Sequence, residues 1–251
     1  MLVSINTYTK EINCMSVLRD SLVKLPDYKG HQCGRAKFTV CYNLGHMWGD
    51  TAGAMEMTNI CLKDNFGVEV DYDVEISFDS FIKMIDYIDG IDIELTQAEA
   101  DYLNKDTLYV KRTIEPGVQR LQGMEALSYA RMRKAAGDSE SDIKRTERQR
   151  KVVEALLEKF RYRSIADLNK WIDILLPMVS TTMTPTDVTK LAARVLPIFS
   201  ELKIKGATVP MEGWGDMVDI YNDGQIHSVM RFDTAKEKKL IRAITEAEVS
   251  D

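Results

Sequence analysis

The sequence predicts a mixed α/β fold, in which helices cover both faces of a mixed β-sheet. Strand-like and helix-like segments alternate along the chain, and no repeat, low-complexity segment or Pro- and Gly-rich linker interrupts them. At 251 residues with 45% hydrophobic content, the chain has enough apolar side chains for a large core. We therefore predict one α/β domain.

The chain opens with a predicted β-hairpin. The apolar runs MLVSIN and EINCMSVL flank the polar segment NTYTK, which is the pattern of two strands joined by a turn. Arg19 and Asp20 follow directly after the second strand. Because functional side chains collect in the loops where strands end, this pair is a candidate for the site.

A helix and a strand–helix–strand unit are predicted next. Loose helical spacing favours a helix over 51–65, and residues 70–78 are typical of a strand. Gly90 ends the following helix, and the sequence IDIEL at 91–95 predicts another strand. The helix between these strands is predicted by apolar residues at the spacing i, i+3, i+4, i+7, namely Phe81, Met84, Ile85 and Ile88.

The second half of the chain predicts three helices and a hairpin. One helix spans 168–179, and the sequence Thr184-Pro185-Thr186-Asp187 is typical of a cap before a second helix over 187–199. Asn222-Asp223-Gly224 lies between alternating runs, a strong hairpin signal. The amphipathic segment 235–248 predicts the closing helix.

Composition excludes several functional classes. A net charge of −6 argues against non-specific nucleic-acid binding, which needs an uninterrupted basic surface. No hydrophobic run reaches the roughly 20 residues of a membrane span. Cys14, in an apolar run, is predicted to be a buried thiol, and disulfides are left open. Neither the cysteines nor the histidines have the spacing of a metal site; they are Cys14, Cys33, Cys41, Cys61, His31, His46 and His227.

The helix predicted to begin near Ile143 turns two polar residues toward its apolar side. At about 100° per residue, Arg145 and Gln149 share a face with the apolar stripe Val152, Val153, Leu156 and Phe160. Burying an unpaired charge lowers the stability of the fold by roughly several kcal/mol. A charged side chain on the apolar side must therefore pair with another group or contact a ligand. Free N–H groups in the first turns of a helix also attract anions.

A predicted helix over 123–130 repeats this arrangement just upstream. It places Arg131 on its apolar face, and Arg133 follows where the helix ends. Arginine favours a planar, bidentate fit to phosphate or carboxylate oxygens. Two interpretations stay open: an anionic ligand, or a surface network in which the arginines pair with nearby acids, namely Asp138, Glu140, Asp142 and Glu147.

Five segments together resemble the LytR-CpsA-Psr family, in the family's order and over roughly residues 1 to 160. YAR-x-R followed by D-x-x-R-x-x-R-Q is specific in combination, whereas a hairpin that ends in Arg-Asp is weaker alone. The segments are LVSINTYTKEINCMSVLRDSLVKLP, AKFTVCY, VDYDVEISFDSF, GVQRLQGMEALSYARMR and DIKRTERQ.

The resemblance implies a three-layer α/β/α sandwich with a mixed central β-sheet, formed as a single catalytic domain over 1–251. It implies an extracytoplasmic, membrane-anchored enzyme that transfers a teichoic acid or capsular polysaccharide from a polyprenyl pyrophosphate carrier to peptidoglycan. The pyrophosphate-binding residues of the family match Arg19, Lys37, Arg131, Arg133, Arg145 and Gln149.

The resemblance also implies a mechanism and a metal. A peptidoglycan hydroxyl attacks phosphorus, and cationic side chains stabilise the charge that develops on the phosphoryl oxygens. Arg19 and Asp20 are the catalytic candidates: Asp20 orients Arg19, assists proton removal, or is only a pairing residue at a loop start. Family members bind Mg²⁺ through aspartates upstream of the hairpin. We therefore expect an amino-terminal segment with the membrane anchor and metal ligands to be missing, and name no metal ligand here.

Two other functions stay open at this point. Without the metal aspartates, the domain would be a binding module that holds a polyprenyl phosphate or a wall polymer without turning it over. An intracellular phosphate-handling protein with an accidental resemblance is the second alternative. Turnover with added magnesium separates the enzyme from the binding module.

Overall fold

The computed structural model describes residues 1–133, 142–161, 165–211, 213–222 and 225–245. The strands are β1 Leu2–Asn6, β2 Glu11–Val17, β3 Leu22–Lys24, β4 Arg35–Lys37, β5 Val74–Glu75, β6 Ile91–Leu95, β7 Gly117–Leu121, β8 Ser180–Thr181, β9 Lys203–Val209, β10 Gly215–Asn222 and β11 Gln225–Phe232. The α-helices are α1 Phe38–Phe66, α2 Phe78–Tyr87, α3 Gln97–Lys105, α4 Gly123–Arg131, α5 Asp142–Arg161, α6 Ile165–Leu175, α7 Pro185–Val195 and α8 Thr234–Thr245.

The contacts between residues divide the chain into two units. The first unit comprises Met1–Asp71 and Lys203–Asp251, and the second comprises Tyr72–Leu202. The predicted mixed α/β class is confirmed. A single domain over residues 1–251 stays a prediction.

A mixed three-stranded sheet organises the first unit. Strand β2 pairs antiparallel with β1, which confirms the predicted hairpin, and parallel with β9, which lies almost two hundred residues further along the chain. Five consecutive residues of β2 are buried, as expected of a strand covered on both faces. Cys14 is one of them, so its predicted burial is confirmed.

Helix α1 contains a sharp break at Gly49 and Asp50, whose backbone angles are not helical. The predicted helix over 51–65 is the part after the break. On either side of it, Gly45 and Gly53 lie so close that a Cβ on Gly53 would stand 2.6 Å from the carbonyl oxygen of Gly45. The two parts of α1 therefore pack backbone against backbone, which only residues without a side chain permit.

The second unit has a core shared by β6, β7 and the helices α2 to α6. Ile85, Ile93, Leu121 and Tyr129 are among its fully buried side chains. The predicted helix before Gly90 and the strand over 91–95 are confirmed as α2 and β6.

The predicted strand over 70–78 is wrong for most of its length. Only Val74–Glu75 pairs, with β8, and Ser77 instead caps α2 by accepting a hydrogen bond from the N–H of Ser80. A serine side chain that satisfies a helix N-terminus ends the strand early, although the alternating residues before it resemble a longer one.

The remaining elements follow the predicted order. The predicted helix over 168–179 is α6 followed by a 3₁₀ turn, and Thr184 with Asp187 forms a capping box at the start of α7. Strands β10 and β11 pair as the predicted hairpin, although the turn residues Asp223 and Gly224 lie outside the described residues. In the described part of the chain, no helix combines the length and apolarity that crossing a bilayer requires.

We predict that Gly53→Ala lowers the free energy of unfolding of the first unit by roughly 1–3 kcal/mol, because the added methyl overlaps the backbone at Gly45. Urea unfolding followed by circular dichroism measures this. Gly34→Ala is the matched control, since no atom lies within 4 Å of the position of its Cβ. Equal stability of the two variants would contradict the close approach.

A second prediction concerns Glu237, which is fully buried and accepts a hydrogen bond from the N–H of Met211 at 3.0 Å. Burial raises the pKa of this carboxyl above its ordinary value of 4.5, and the Met211 N–H only partly opposes the shift. The folded state therefore holds the proton more tightly than the unfolded state.

The stability from this proton is fully present below pH 4.5 and is lost as the pH rises toward the folded-state pKa. We expect Glu237→Gln, a neutral isostere, to remove this part of the pH dependence. Urea unfolding of parent and variant at several pH values between 4 and 8 measures it. If the difference in stability between them does not change with pH, the prediction is wrong.

Candidate functional site

In the first unit, the structure brings together Arg19, Asp20 and Lys37. The Asp20 carboxylate lies 2.7 Å from Nζ of Lys37 and 3.4 Å from Nε of Arg19. All three side chains are partly exposed. The carboxylate holds two cations side by side and leaves part of each in contact with solvent, where an anion can reach them.

Main-chain hydrogen bonds fix the turn that carries Arg19 and Asp20. The carbonyl oxygen of Arg19 accepts from the N–H of Thr39 at 3.1 Å, and that of Asp20 accepts from Met230 at 2.8 Å. Lys37 lies at the junction of β4 and α1, where its pairing with Leu22 in β3 holds it beside the turn. The short strand pair therefore explains why residues far apart in sequence meet at one carboxylate.

In the second unit, Arg131 and Arg133 lie at the end of α4. The Arg131 guanidinium lies over the ring of Phe78, with Cζ 4.9 Å from the ring centre, and the Phe78 side chain is 59% exposed. A cation over an aromatic face is attracted to it without being neutralised. Arg131 thus keeps its hydrogen-bond donors available for an anion, and Arg133 is exposed beside it.

The start of α4 is placed by a close contact with α2. Gly123 packs onto the carbonyl of Ile82, where a Cβ would lie 2.8 Å from the carbonyl carbon. The N–H of Gly123 also donates to the Asp86 carboxylate at 2.7 Å. These contacts fix the axis of α4 and, with it, the position of Arg131 at the other end.

Arg145 and Gln149 lie in the first two turns of α5, and both are half-buried. Val152 on the same helix is fully buried, while Lys144 and Lys151 are exposed, as the helix phase predicts. Among the acids of the alternative surface network, Glu147 accepts a hydrogen bond from Lys144 at 3.0 Å. Asp138 and Glu140 lie outside the described residues, as does the side chain of Asp142.

Sequence reasoning missed a buried ion pair next to these residues. Arg148, 4% exposed, donates from Nε to the carboxylate of Glu99 at 2.9 Å and from Nη1 to the carbonyl oxygen of Met132 at 3.4 Å. Arg148 is the second arginine of the D-x-x-R-x-x-R-Q motif and lies four residues before the buried Val152, so both the motif and the helix phase were available signals. Its partners, Glu99 and Met132, belong to other segments, so the sequence around Arg148 does not identify them.

Glu99 is held as a carboxylate in this environment. Burial alone would raise its pKa, but hydrogen bonds from Thr96 and Arg148 together hold the pKa below the ordinary value. Burial, followed by the negative charge of Glu99, raises the pKa of Tyr129 above its ordinary value. A cleft of about 170 Å³ beside the pair is lined by side chains of both signs, including Lys151 and Glu147.

Magnesium is the metal that the family resemblance implies. Mg²⁺ takes near-octahedral oxygen ligands, usually with one or two carboxylates and several waters. In the ranges that the structure describes, no three His, Cys, Asp or Glu side chains are grouped to hold a metal ion. Asp20, the acid nearest the predicted basic residues of the first unit, is already shared between Lys37 and Arg19.

Comparison with known proteins gives the family. The model of the LytR_cpsA_psr family matches residues 1–239. The chain is similar to the regulatory protein MsrR of Staphylococcus aureus, with 29% identity over 227 residues that cover 89% of this chain and 62% of MsrR. It is also 29% identical over 176 residues to the polyisoprenyl-teichoic acid–peptidoglycan teichoic acid transferase TagT of Bacillus subtilis, covering 70% of this chain and 48% of TagT.

A solved structure shows the same fold. TagT bound to LIIa-WTA superimposes with a TM-score of 0.71 at 24% identity, covering 97% of this chain and 82% of that one. TagT has also been solved with bound octaprenyl pyrophosphate lipid, with a TM-score of 0.67, 21% identity and coverage of 97% and 82%. This chain spans about half to three fifths of the length of the curated relatives it matches. With a family model that matches nearly its whole length, the chain belongs to the LytR-CpsA-Psr family.

Proposed function

We propose that this chain is a phosphotransferase that moves a glycopolymer from a polyprenyl pyrophosphate carrier to peptidoglycan. The observation that carries the proposal is the set of cationic and amide donors at the end of α4 and the start of α5, on elements fixed by buried contacts. The name of the relative TagT supports a teichoic acid as the glycopolymer, and a capsular polysaccharide is the other member of the same substrate class.

On the family resemblance, we propose that the predicted pyrophosphate-binding residues bind the two phosphates. Planar guanidinium groups donate paired hydrogen bonds to phosphate oxygens, and they are supplied by Arg19, Arg131, Arg133 and Arg145. Lys37 adds a point charge. Gln149 donates an amide hydrogen bond without further charge.

The proposed reaction is a displacement at phosphorus. A peptidoglycan hydroxyl oxygen forms a bond to the phosphorus that carries the glycopolymer, the bond from that phosphorus to the bridging oxygen breaks, and polyprenyl phosphate leaves. The hydroxyl proton is released to a base as the new phosphodiester forms. Because negative charge spreads over the phosphoryl oxygens, pre-positioned cations lower the barrier.

The substrates place the reaction at the cell envelope. Peptidoglycan lies outside the cytoplasm and polyprenyl carriers lie in the membrane, so we propose that the chain works at the extracytoplasmic face, anchored beside its carrier. Magnesium is proposed as the cofactor, on the family resemblance alone. When bound it would neutralise charge on the phosphates.

A binding module without turnover is the second candidate. The observation that favours it is that the described residues hold no cluster of metal-ligating side chains. Such a module would hold a polyprenyl-linked glycan through the same basic residues. Transfer of a labelled glycopolymer to peptidoglycan, assayed with and without added magnesium, separates the two: bound carrier with no transfer in either condition supports the module.

We predict that Arg145→Ala weakens binding of a short-chain polyprenyl pyrophosphate by roughly tenfold or more, because a hydrogen bond to a charged group contributes about 1.5–3 kcal/mol. Titration calorimetry measures the dissociation constant. Arg150→Ala is the matched control, since it removes the same charge from the same helix at a position outside the predicted set. Equal losses in both variants would show a general charge effect rather than a site.

A further prediction separates the roles of Asp20. If its carboxylate holds Arg19 and Lys37 in place, Asp20→Asn weakens pyrophosphate binding several-fold, because the two cations then repel each other. Calorimetry measures the binding, and Asp64→Asn, an exposed carboxylate of the same unit, is the control. Unchanged binding with lost transfer would instead identify Asp20 as a proton acceptor.

A further inference from the structure

A buried arginine lies between the two segments that carry the basic residues of the second unit. The Arg148 side chain is 5% exposed, and that of its partner Glu99 is 7% exposed. Removing two charges from water costs more than a neutral pair of the same size, so a buried ion pair is poor evidence of a stabilising role. Its hydrogen-bond geometry is more informative.

The Glu99 carboxylate is anchored from one side by the start of α3. One of its oxygens accepts from the N–H of Thr96 at 3.0 Å and from the Thr96 hydroxyl at 3.2 Å, which closes a capping box. The other oxygen accepts from Nε of Arg148 at 2.9 Å. The carboxylate therefore holds the guanidinium in one orientation, with its remaining donors directed elsewhere.

One of those donors reaches the main chain between two predicted phosphate ligands. Nη1 of Arg148 donates to the carbonyl oxygen of Met132, the residue between Arg131 and Arg133. Met132 is itself fully buried, and its N–H donates to the carbonyl oxygen of Tyr129 at the end of α4. The segment that carries both arginines is thus attached to Arg148 by its backbone.

Arg148 belongs to the helix that carries the other two predicted ligands. It lies three residues after Arg145 and directly before Gln149. The Arg148 backbone belongs to the same helix as Arg145 and Gln149. Its side chain is hydrogen-bonded to the main chain between Arg131 and Arg133. The Arg148 guanidinium is therefore a polar link between the two pairs, in addition to the apolar packing of α4 on α5 that includes Tyr129 and Val152.

We propose that Arg148 is a positioning residue that sets the spacing between the pair Arg131 and Arg133 and the pair Arg145 and Gln149. This inference rests on the proposed function, because the spacing matters only if both pairs bind one pyrophosphate. A bidentate fork is needed for the role: lysine at this position keeps the charge beside Glu99 but does not supply two donors in a fixed plane.

The test is a double-mutant cycle in two backgrounds. In the parent chain, Arg131→Ala, Arg145→Ala and the double variant are titrated with a short-chain polyprenyl pyrophosphate. If both side chains bind one ligand, the loss of affinity in the double variant differs from the product of the losses in the two single variants. We expect this difference to be at least about threefold. The same cycle is then measured in the Arg148→Lys background.

We expect Arg148→Lys to weaken binding roughly tenfold and to make the two alanine substitutions additive. Ile114→Val, a buried change outside α4 and α5, is the control for lost stability, and it should weaken binding little and keep the coupling. Coupling that persists unchanged in Arg148→Lys overturns the positioning role. If Arg148→Lys does not unfold cooperatively, Glu99→Asp, which withdraws the anchoring carboxylate by one methylene, is tested in its place.

The two failures are distinguishable. A parent chain that does not bind the pyrophosphate, with or without magnesium, overturns the proposed function and this inference with it. A parent chain that binds and shows coupling, with a lysine variant that behaves in the same way, overturns only the inference.

Discussion

Cations that bind a phosphate repel one another, so the fold must hold them close without neutralising them. In this chain, one carboxylate contacts two cations of the proposed site, and a second carboxylate holds an arginine that is proposed to position others. Asp20 is shared between Lys37 and Arg19 in the first unit, and Glu99 holds Arg148 in the second. In each case the carboxylate binds one side of the cation and leaves other donors for the backbone or for a ligand.

The carboxylates of the second unit are themselves fixed by helix capping. Glu99 closes the first turn of α3, and Glu125 accepts from the N–H of Gln122 at the start of α4 while it binds Arg112 in a bidentate pair. Each glutamate satisfies a helix N-terminus and an arginine together, so the placement of a charged side chain is tied to the start of a helix. Under the proposed function, this coupling of local structure to charge placement helps to hold the arginines at the end of α4 and the start of α5 in defined positions.

Local patterns predicted the elements that depend on neighbours in sequence. The amino-terminal hairpin, the apolar stripe of α2 and the capping box at Thr184 all rest on residues a few positions apart. The strand β9 and the ion pair of Arg148 with Glu99 were missed, because their partners lie far away along the chain. Helix phase pointed to Arg145 and Gln149, yet gave no means of knowing which carboxylate would anchor the arginine between them.

The central claim is that the arginines of α4 and α5 bind the pyrophosphate of a polyprenyl carrier. The most direct measurement is ¹⁵N NMR of arginine side chains, assigned by single substitutions, during titration with a short-chain polyprenyl pyrophosphate. The account predicts that the Nε signals of Arg131 and Arg145 shift together and saturate at the same ligand concentration. Signals that stay unchanged while the ligand binds elsewhere on the chain would contradict it.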